Sequence, residues 1–301
     1  MYNPISWHIE PTTRCTLECP GCDRTWFKKT FGKQIISDIN VDHLYEFFKH
    51  NNFRKQKIWL CGSNGDPIYH PNIIKLVEML KSLDMMLFIS TNGSAKTEKF
   101  WIQIGDILTE QDEVIFGIDG LEDTSKIYRI NQKWNQVMTG VKSIVKSKAK
   151  CVWQFIPFNF NQHQIDEAKT LSKTLGVDKF KLLKSHRWLD DSINFKPSDN
   201  FIKMHRYDIQ EKLLNEDAKD PKEMNPDCMS NQEIYITAEG NIFPCCHTAT
   251  YRFRHKLPFG KDPINISNKN YQLKSTQKDF LETTKQWQSA HLVCKMHCSQ
   301  V

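Results

Sequence analysis

The sequence predicts a parallel α/β domain followed by a short, cysteine-bearing tail. Three observations lead there. Six β-rich runs recur in the first 185 residues, helical periodicity fills the gaps between them, and eight of ten cysteines fall in two groups near the chain ends. The runs are 5–10, 57–61, 86–90, 113–118, 151–156 and 179–183. Their apolar content is nearly continuous, as expected of strands buried in a parallel sheet. From the second run onward the starts are spaced by about 27 to 38 residues, the size of a β–α unit.

The helices follow from the same periodicity. Ile73, Leu76, Val77 and Leu80 share one helical face, with Pro71 just before them. Ile165, Ala168, Leu171 and Leu175 do the same, and Gly176 follows as a C-cap. The first connection is longer, about 45 residues, and holds the first cysteine group. In barrels of β–α units the loops after the strands carry the chemistry, and this group begins five residues after the first strand. Beyond the sixth strand, residues 186–227 read as a connector with one helix, its face made by Ile202, His205, Ile209 and Leu213. The tail, 228–301, carries a hairpin over 233–237 and 241–243, turning at Ala238-Glu239-Gly240, and a helix over 276–291. The expected organisation is therefore 1–185, 186–227 and 228–301.

Composition narrows the class. Hydrophobic residues make up 39% and charged residues 25%, a balance that argues against wholesale disorder. The longest apolar run, around Met85 to Ile89, is far short of the roughly 20 residues a bilayer span needs. The start, Met1 to Trp7, lacks a basic region followed by an apolar stretch, so a cytoplasmic, reducing setting is expected. Clustered cysteines there read as metal ligands or catalytic groups. The net charge of +6 is diffuse; Lys142, Lys146, Lys148 and Lys150 read as a solvated face, and nucleic acid is not the expected partner.

Cys15, Cys19 and Cys22 form a C-x3-C-x2-C run. Three sulfurs on a tight loop suit a four-iron cube with one iron free of protein ligands. Spacing alone also admits zinc, with His8 completing the set, although structural zinc normally takes four ligands. The segment from His8 through Glu10-Pro11 to Cys22 resembles the opening of the radical S-adenosylmethionine (SAM) family. Cys61-Gly62-Ser63-Asn64-Gly65-Asp66-Pro67 is similar to that family's Gly-Gly-Glu-Pro segment. Ser90-Thr91-Asn92-Gly93, Gly117-Ile118-Asp119-Gly120 and Tyr128-Arg129 follow in the order the family shows. Each match is short; their succession at strand ends carries the signal.

The resemblance implies a partial (β/α)6 TIM-like barrel with a [4Fe–4S] cluster on Cys15, Cys19 and Cys22 and SAM chelated at the open iron. One electron to the sulfonium then releases a 5′-deoxyadenosyl radical, which takes a hydrogen atom from the substrate. Implied SAM contacts are Gly65, Asp66 and Pro67 for the ammonium, Arg129 for the carboxylate, Ser90 and Asn92, Asp119 after the fourth strand, and Asn159 with Asn161 for the adenosine. Two departures stand out. Gly21 occupies a position that is often aromatic, with Trp26 or Phe27 as replacements, and Gly117 one that is often Ser.

The segment 236–246 resembles the hairpin of the SPASM/twitch extension, which implies a twitch-like second [4Fe–4S] cluster on Cys228, Cys245, Cys294 and Cys298. A four-cysteine zinc site remains its rival. Cys61 and Cys151 lie in apolar strands and read as small buried hydrophobes; the sharper alternative makes Cys61 or Cys246 a hydrogen donor to a substrate radical. The implied substrate is a small molecule or a short peptide, because no separate recognition domain is evident. A one-electron donor such as flavodoxin or ferredoxin is implied as partner. The competing functions are a non-catalytic iron–sulfur electron carrier and a zinc-stabilised nucleic-acid-binding protein. His186, Arg187, Trp188, Asp190 and Asp191 are candidate substrate contacts.

Overall fold

A computed structural model describes residues 6–185, 195–201, 233–251 and 265–267. Cys228, Cys294, Cys298, the 186–191 candidates and the two helices expected over 202–213 and 276–291 lie outside the described residues.

The six expected strands are β1 (Ser6–Ile9), β2 (Lys57–Leu60), β3 (Met86–Thr91), β4 (Glu113–Gly117), β5 (Lys150–Phe155) and β6 (Lys179–Leu182). They pair in parallel, each with its sequence neighbour. The helices between them are α1 (Asp23–Phe31), α2 (Val41–His50), α3 (Ile73–Ser82), α4 (Glu98–Ile107), α5 (Ser125–Tyr128), α6 (Trp134–Ile144) and α7 (Ile165–Thr174). Their starts are chemically marked. Asn40 accepts a hydrogen bond from His43 N at the head of α2, and Thr97 from Phe100 N at the head of α4. After α7, Gly176 takes a positive φ of 81°, the left-handed turn that ends many helices.

The hairpin strands β7 (Glu233–Ile236) and β8 (Ile242–Phe243) precede a short helix, α8 (Cys246–Ala249). They are continuous with the main sheet. β7 lies parallel to β1, matching Ser6 with Glu233 and Ile9 with Ile236. The sheet therefore has eight strands in the order β6-β5-β4-β3-β2-β1-β7-β8. Glu10 N also donates to Ile236 O at 2.9 Å, carrying the pairing one residue past β1.

Register sorts the side chains into two faces. Trp7, Ile9, Ile58, Leu60, Leu87, Ile89, Val114, Phe116, Trp153, Ile234 and Ile236 belong to one buried core with Leu44, Leu76, Val77 and Val137 from the helices. The opposite face carries His8, Trp59, Phe88, Ser90, Glu113, Lys179, Lys181, Glu233 and Tyr235. Burial in β3 consequently alternates, and only β4 is buried at all five positions. The near-continuous apolar runs arise because Trp59 and Phe88 stack on the second face, with ring centroids 4.4 Å apart.

Candidate functional site

The loops leaving the ends of β1, β2, β3 and β4 meet on one edge of the sheet. Cys15, Cys19 and Cys22 lie between β1 and α1, all three unoxidised and partly exposed. Cys22 N donates to Cys19 O at 3.1 Å, and Cys22 is the N-cap of α1. Burial pushes the Cys15 thiol up to about 12, and nearby Asp66 adds to the effect. Among the described residues, no three His, Cys, Asp or Glu side chains already form a metal-holding group.

The β2 loop is fastened to this triplet from both sides. Asp66 N donates to Arg14 O at 3.0 Å, next to Cys15. A Cβ on Gly65 would collide with the backbone of Thr12 and Thr13, so only glycine fits there. Glu10, buried at the end of β1, accepts from Asn64 N at 2.6 Å and Gly65 N at 3.2 Å. Burial nevertheless raises its carboxyl to about 7.

The Asp66 carboxylate is turned toward β3. It accepts from Thr91 Oγ1 at 2.9 Å, Asn92 N at 2.6 Å and Asn92 Nδ2 at 2.6 Å. Burial raises it to about 6, opposed by those donors and by Arg129. Asn92 Nδ2 also lies 3.5 Å from Cys15 Sγ. Cys15, Asp66 and Asn92, read separately along the sequence, thus form one contact group.

Arg129 and Asp119 form a second. Arg129 Nε donates to Asp119 Oδ2 at 2.7 Å, while Asp119 Oδ1 accepts from Ile156 N at 2.8 Å. The Gly117 departure has a steric reason. A Cβ there would stand 2.5 Å from an Arg129 guanidinium nitrogen; the absent side chain is the space Arg129 fills. Ser90 is half-buried on the second sheet face. Pro67 opens the turn after Asp66 and is buried. Asn159 is exposed, and its backbone N donates to Phe195 O at 3.3 Å. The Asn161 side chain is spent on backbone groups of Asp119, Ile156 and Phe158, which corrects its expected role as an adenosine contact. Trp26 and Phe27 pack against Phe31, and Phe27 also against Tyr251.

A third group was not legible as a unit. His8 Nε2 lies 2.7 Å from Cys61 Sγ, and His8 Nδ1 lies 3.8 Å from Glu233 Oε1. His8 is therefore turned to Cys61 rather than serving as a fourth ligand for the triplet. Its ring also packs edge-on against Tyr235 at 4.6 Å. Burial lifts the Cys61 thiol well above its ordinary range, with Cys246 the next cause. The two candidate hydrogen donors therefore face each other across β1. Cys151 is the inert buried thiol the sequence suggests.

Two further buried groups escaped the sequence reading. Arg24 Nε and Asn64 Oδ1 have no hydrogen-bond partner among the described residues. Arg24 is close enough to Cys15 to ease ionisation of its thiol. A buried cation beside three thiols suits an anionic thiolate-bound cluster, and a buried carbonyl oxygen suits an ammonium donor. The residues present therefore fit an iron–sulfur cluster with SAM beside it.

Residues 9–170 match the sequence model of the Radical SAM superfamily, and this chain belongs to that family. Its members are enzymes, and membership brings with it a [4Fe–4S] cluster and SAM. Among curated proteins, the pre-heme d1 synthase of Dinoroseobacter shibae is 25% identical over 179 residues, 59% of this chain and 42% of that protein. The tungsten-containing aldehyde ferredoxin oxidoreductase cofactor-modifying protein of Pyrococcus furiosus is 23% identical over 271 residues, 82% of this chain and 71% of that one. Among solved structures, SuiB of Streptococcus suis bound to S-adenosylmethionine superposes with a TM-score of 0.60 at 13% identity, covering 89% of this chain and 64% of SuiB. SuiB bound to its precursor peptide SuiA gives 0.61 at 11% identity, with 89% and 63% covered. The chain thus spans less than two thirds of the D. shibae protein and of SuiB.

Proposed function

We propose that this protein reductively cleaves SAM and uses the resulting radical to take a hydrogen atom from a small molecule or a short peptide, leading to dehydrogenation, epimerisation or bond formation. The observation that carries this is the meeting of Cys15, Asp66 and Asn92 at the strand ends, with Arg24 and Asn64 buried nearby and unpartnered. Cys15, Cys19 and Cys22 hold the cluster, and cluster with SAM supplies the 5′-deoxyadenosyl radical. The chain does the rest. Arg24 balances negative charge at the thiolates, Asn64 and the Gly65 backbone receive the ammonium, and Arg129, steadied by Asp119, receives the carboxylate. Ser90 and Asn159 serve the ribose and adenine. The strands curl as a partial (β/α)6 barrel whose second face receives the substrate, with Trp59 and Phe88 as apolar platform and Lys179, Lys181 and Glu113 as charged contacts.

A twitch-like unit over 228–301 holds the second [4Fe–4S] cluster on Cys228, Cys245, Cys294 and Cys298, joined to the barrel through the 186–227 connector. The enzyme works in the cytoplasm and takes electrons from a flavodoxin or ferredoxin. The relatives support both substrate classes: two are named for acting on a heme precursor or a cofactor, and one was captured with a precursor peptide.

Anaerobic reconstitution tests the reading. Eight irons per chain are expected, about four of them lost when Cys15, Cys19 and Cys22 become Ala. Wild type with dithionite and SAM is expected to form 5′-deoxyadenosine, and the triple variant none. A protein that holds iron yet leaves SAM intact would be an electron carrier.

A further inference from the structure

Seven large apolar side chains stand exposed among the described residues, and four of them ring the cysteine triplet. Phe31 and Ile36 are the most exposed, at 54% and 55%, and Ile127 and Ile130 follow at 39%. Their segments are tied to the triplet loop. Phe31 ends α1, the helix that begins after Cys22. Ile36 lies between Ile35 and Ser37, both hydrogen-bonded to Thr13 Oγ1. Ile130 O accepts from Glu18 N at 3.1 Å, between Cys15 and Cys19, and Ile127 lies one turn earlier on α5. Lys29 and Lys33 are exposed beside Phe31. The nearby acid, Glu18, is already paired with Lys28 at 2.8 Å, which leaves the rim with surplus positive charge. Apolar anchors among charges are the make-up of a protein-docking face.

We infer that this rim docks a small acidic one-electron carrier protein, bearing a flavin or an iron–sulfur centre, and that the carrier's electron enters the cluster through the triplet loop. The inference rests on the proposed SAM cleavage. Position and charge select this occupant. The rim surrounds the residues that would hold the cluster. Trp26 and Phe27 lie along α1 between Cys22 and Phe31, with ring centroids 6.0 and 4.7 Å from Phe31. A second copy of this chain would bring the same positive rim against it, and like charges across a symmetric interface are unfavourable. One electron leaves the reduced carrier and one enters the cluster; no bond forms.

The experiment compares two reductants on fully loaded protein, photoreduced flavodoxin and dithionite, and measures 5′-deoxyadenosine from SAM. The Lys29→Glu/Lys33→Glu pair and Phe31→Ser are expected to lower the flavodoxin-driven rate about tenfold or more and leave the dithionite-driven rate within about twofold. Wild-type cleavage should fall with added salt under flavodoxin and stay level under dithionite. Unchanged flavodoxin-driven rates in both variants would overturn the docking face. So would equal losses with both reductants, which assign the rim to holding the loop. Wild type that cleaves no SAM with dithionite would refute the function itself.

Discussion

Glu10 is an acidic residue buried at the end of an apolar strand, with its carboxyl raised from 4.5 to about 7. A carboxyl raised on folding binds its proton more tightly in the native state. Its stabilisation is complete below pH 4.5 and is lost as pH rises toward about 7, amounting to about 3 kcal/mol for a shift of this size. Glu10→Gln keeps an acceptor for Asn64 and Gly65 and removes the titration. Thermal unfolding of the metal-free protein from pH 4.5 to 7.5 should therefore fall less steeply in the variant; parallel curves would show that Glu10 does not titrate in that range. Cys61 offers a second test. Cys61→Ala should retain the full iron content of the triplet. If product forms at the wild-type rate with the wild-type content of solvent deuterium, the hydrogen-donor role is gone. At this scale the sequence announced residue types but not their partners. His8 and Cys61 are 53 positions apart, Glu10 and Asn64 54, and no local pattern encodes such a meeting.

Strands and helices were the most legible level. The six runs match β1 to β6 within one or two residues at each end, because β-rich content and capping residues act locally. The face each strand presents was less visible, since an aromatic on the open side and one in the core look alike in a sequence. Gly117 is legible only as a departure from a resemblance; its reason is the guanidinium lying over β4. Gly117→Ala puts a methyl group into that space, so Arg129 must move off Asp119. The expected cost is about 1–3 kcal/mol of stability, with weaker SAM binding by equilibrium dialysis. Unchanged binding would detach Arg129 from the SAM carboxylate.

At the scale of the molecule, the hairpin belongs to the same sheet as the strands that carry the triplet. Ile234 and Ile236 are buried in the same core as Trp7 and Ile9. Ile236→Ala should cost about 2–5 kcal/mol and lower the single unfolding transition of the whole sheet, followed by fluorescence and circular dichroism. Two separated transitions would mean the hairpin folds as its own unit. The sequence showed a hairpin but not its neighbour, because a parallel pairing across more than two hundred residues has no turn to mark it. No described helix is long and apolar enough to cross a membrane.

That pairing sets an order of assembly. β1 leaves the ribosome among the first segments made, and its outer neighbour β7 emerges 227 positions later, an interval of about 10 to 45 s at usual elongation rates. Throughout that interval the nascent strand leading into the metal-receiving loop has one bare flank, open to mispairing. Iron delivered before the hairpin arrives would meet a half-built cradle, so maturation of this enzyme is an event that follows translation rather than accompanies it.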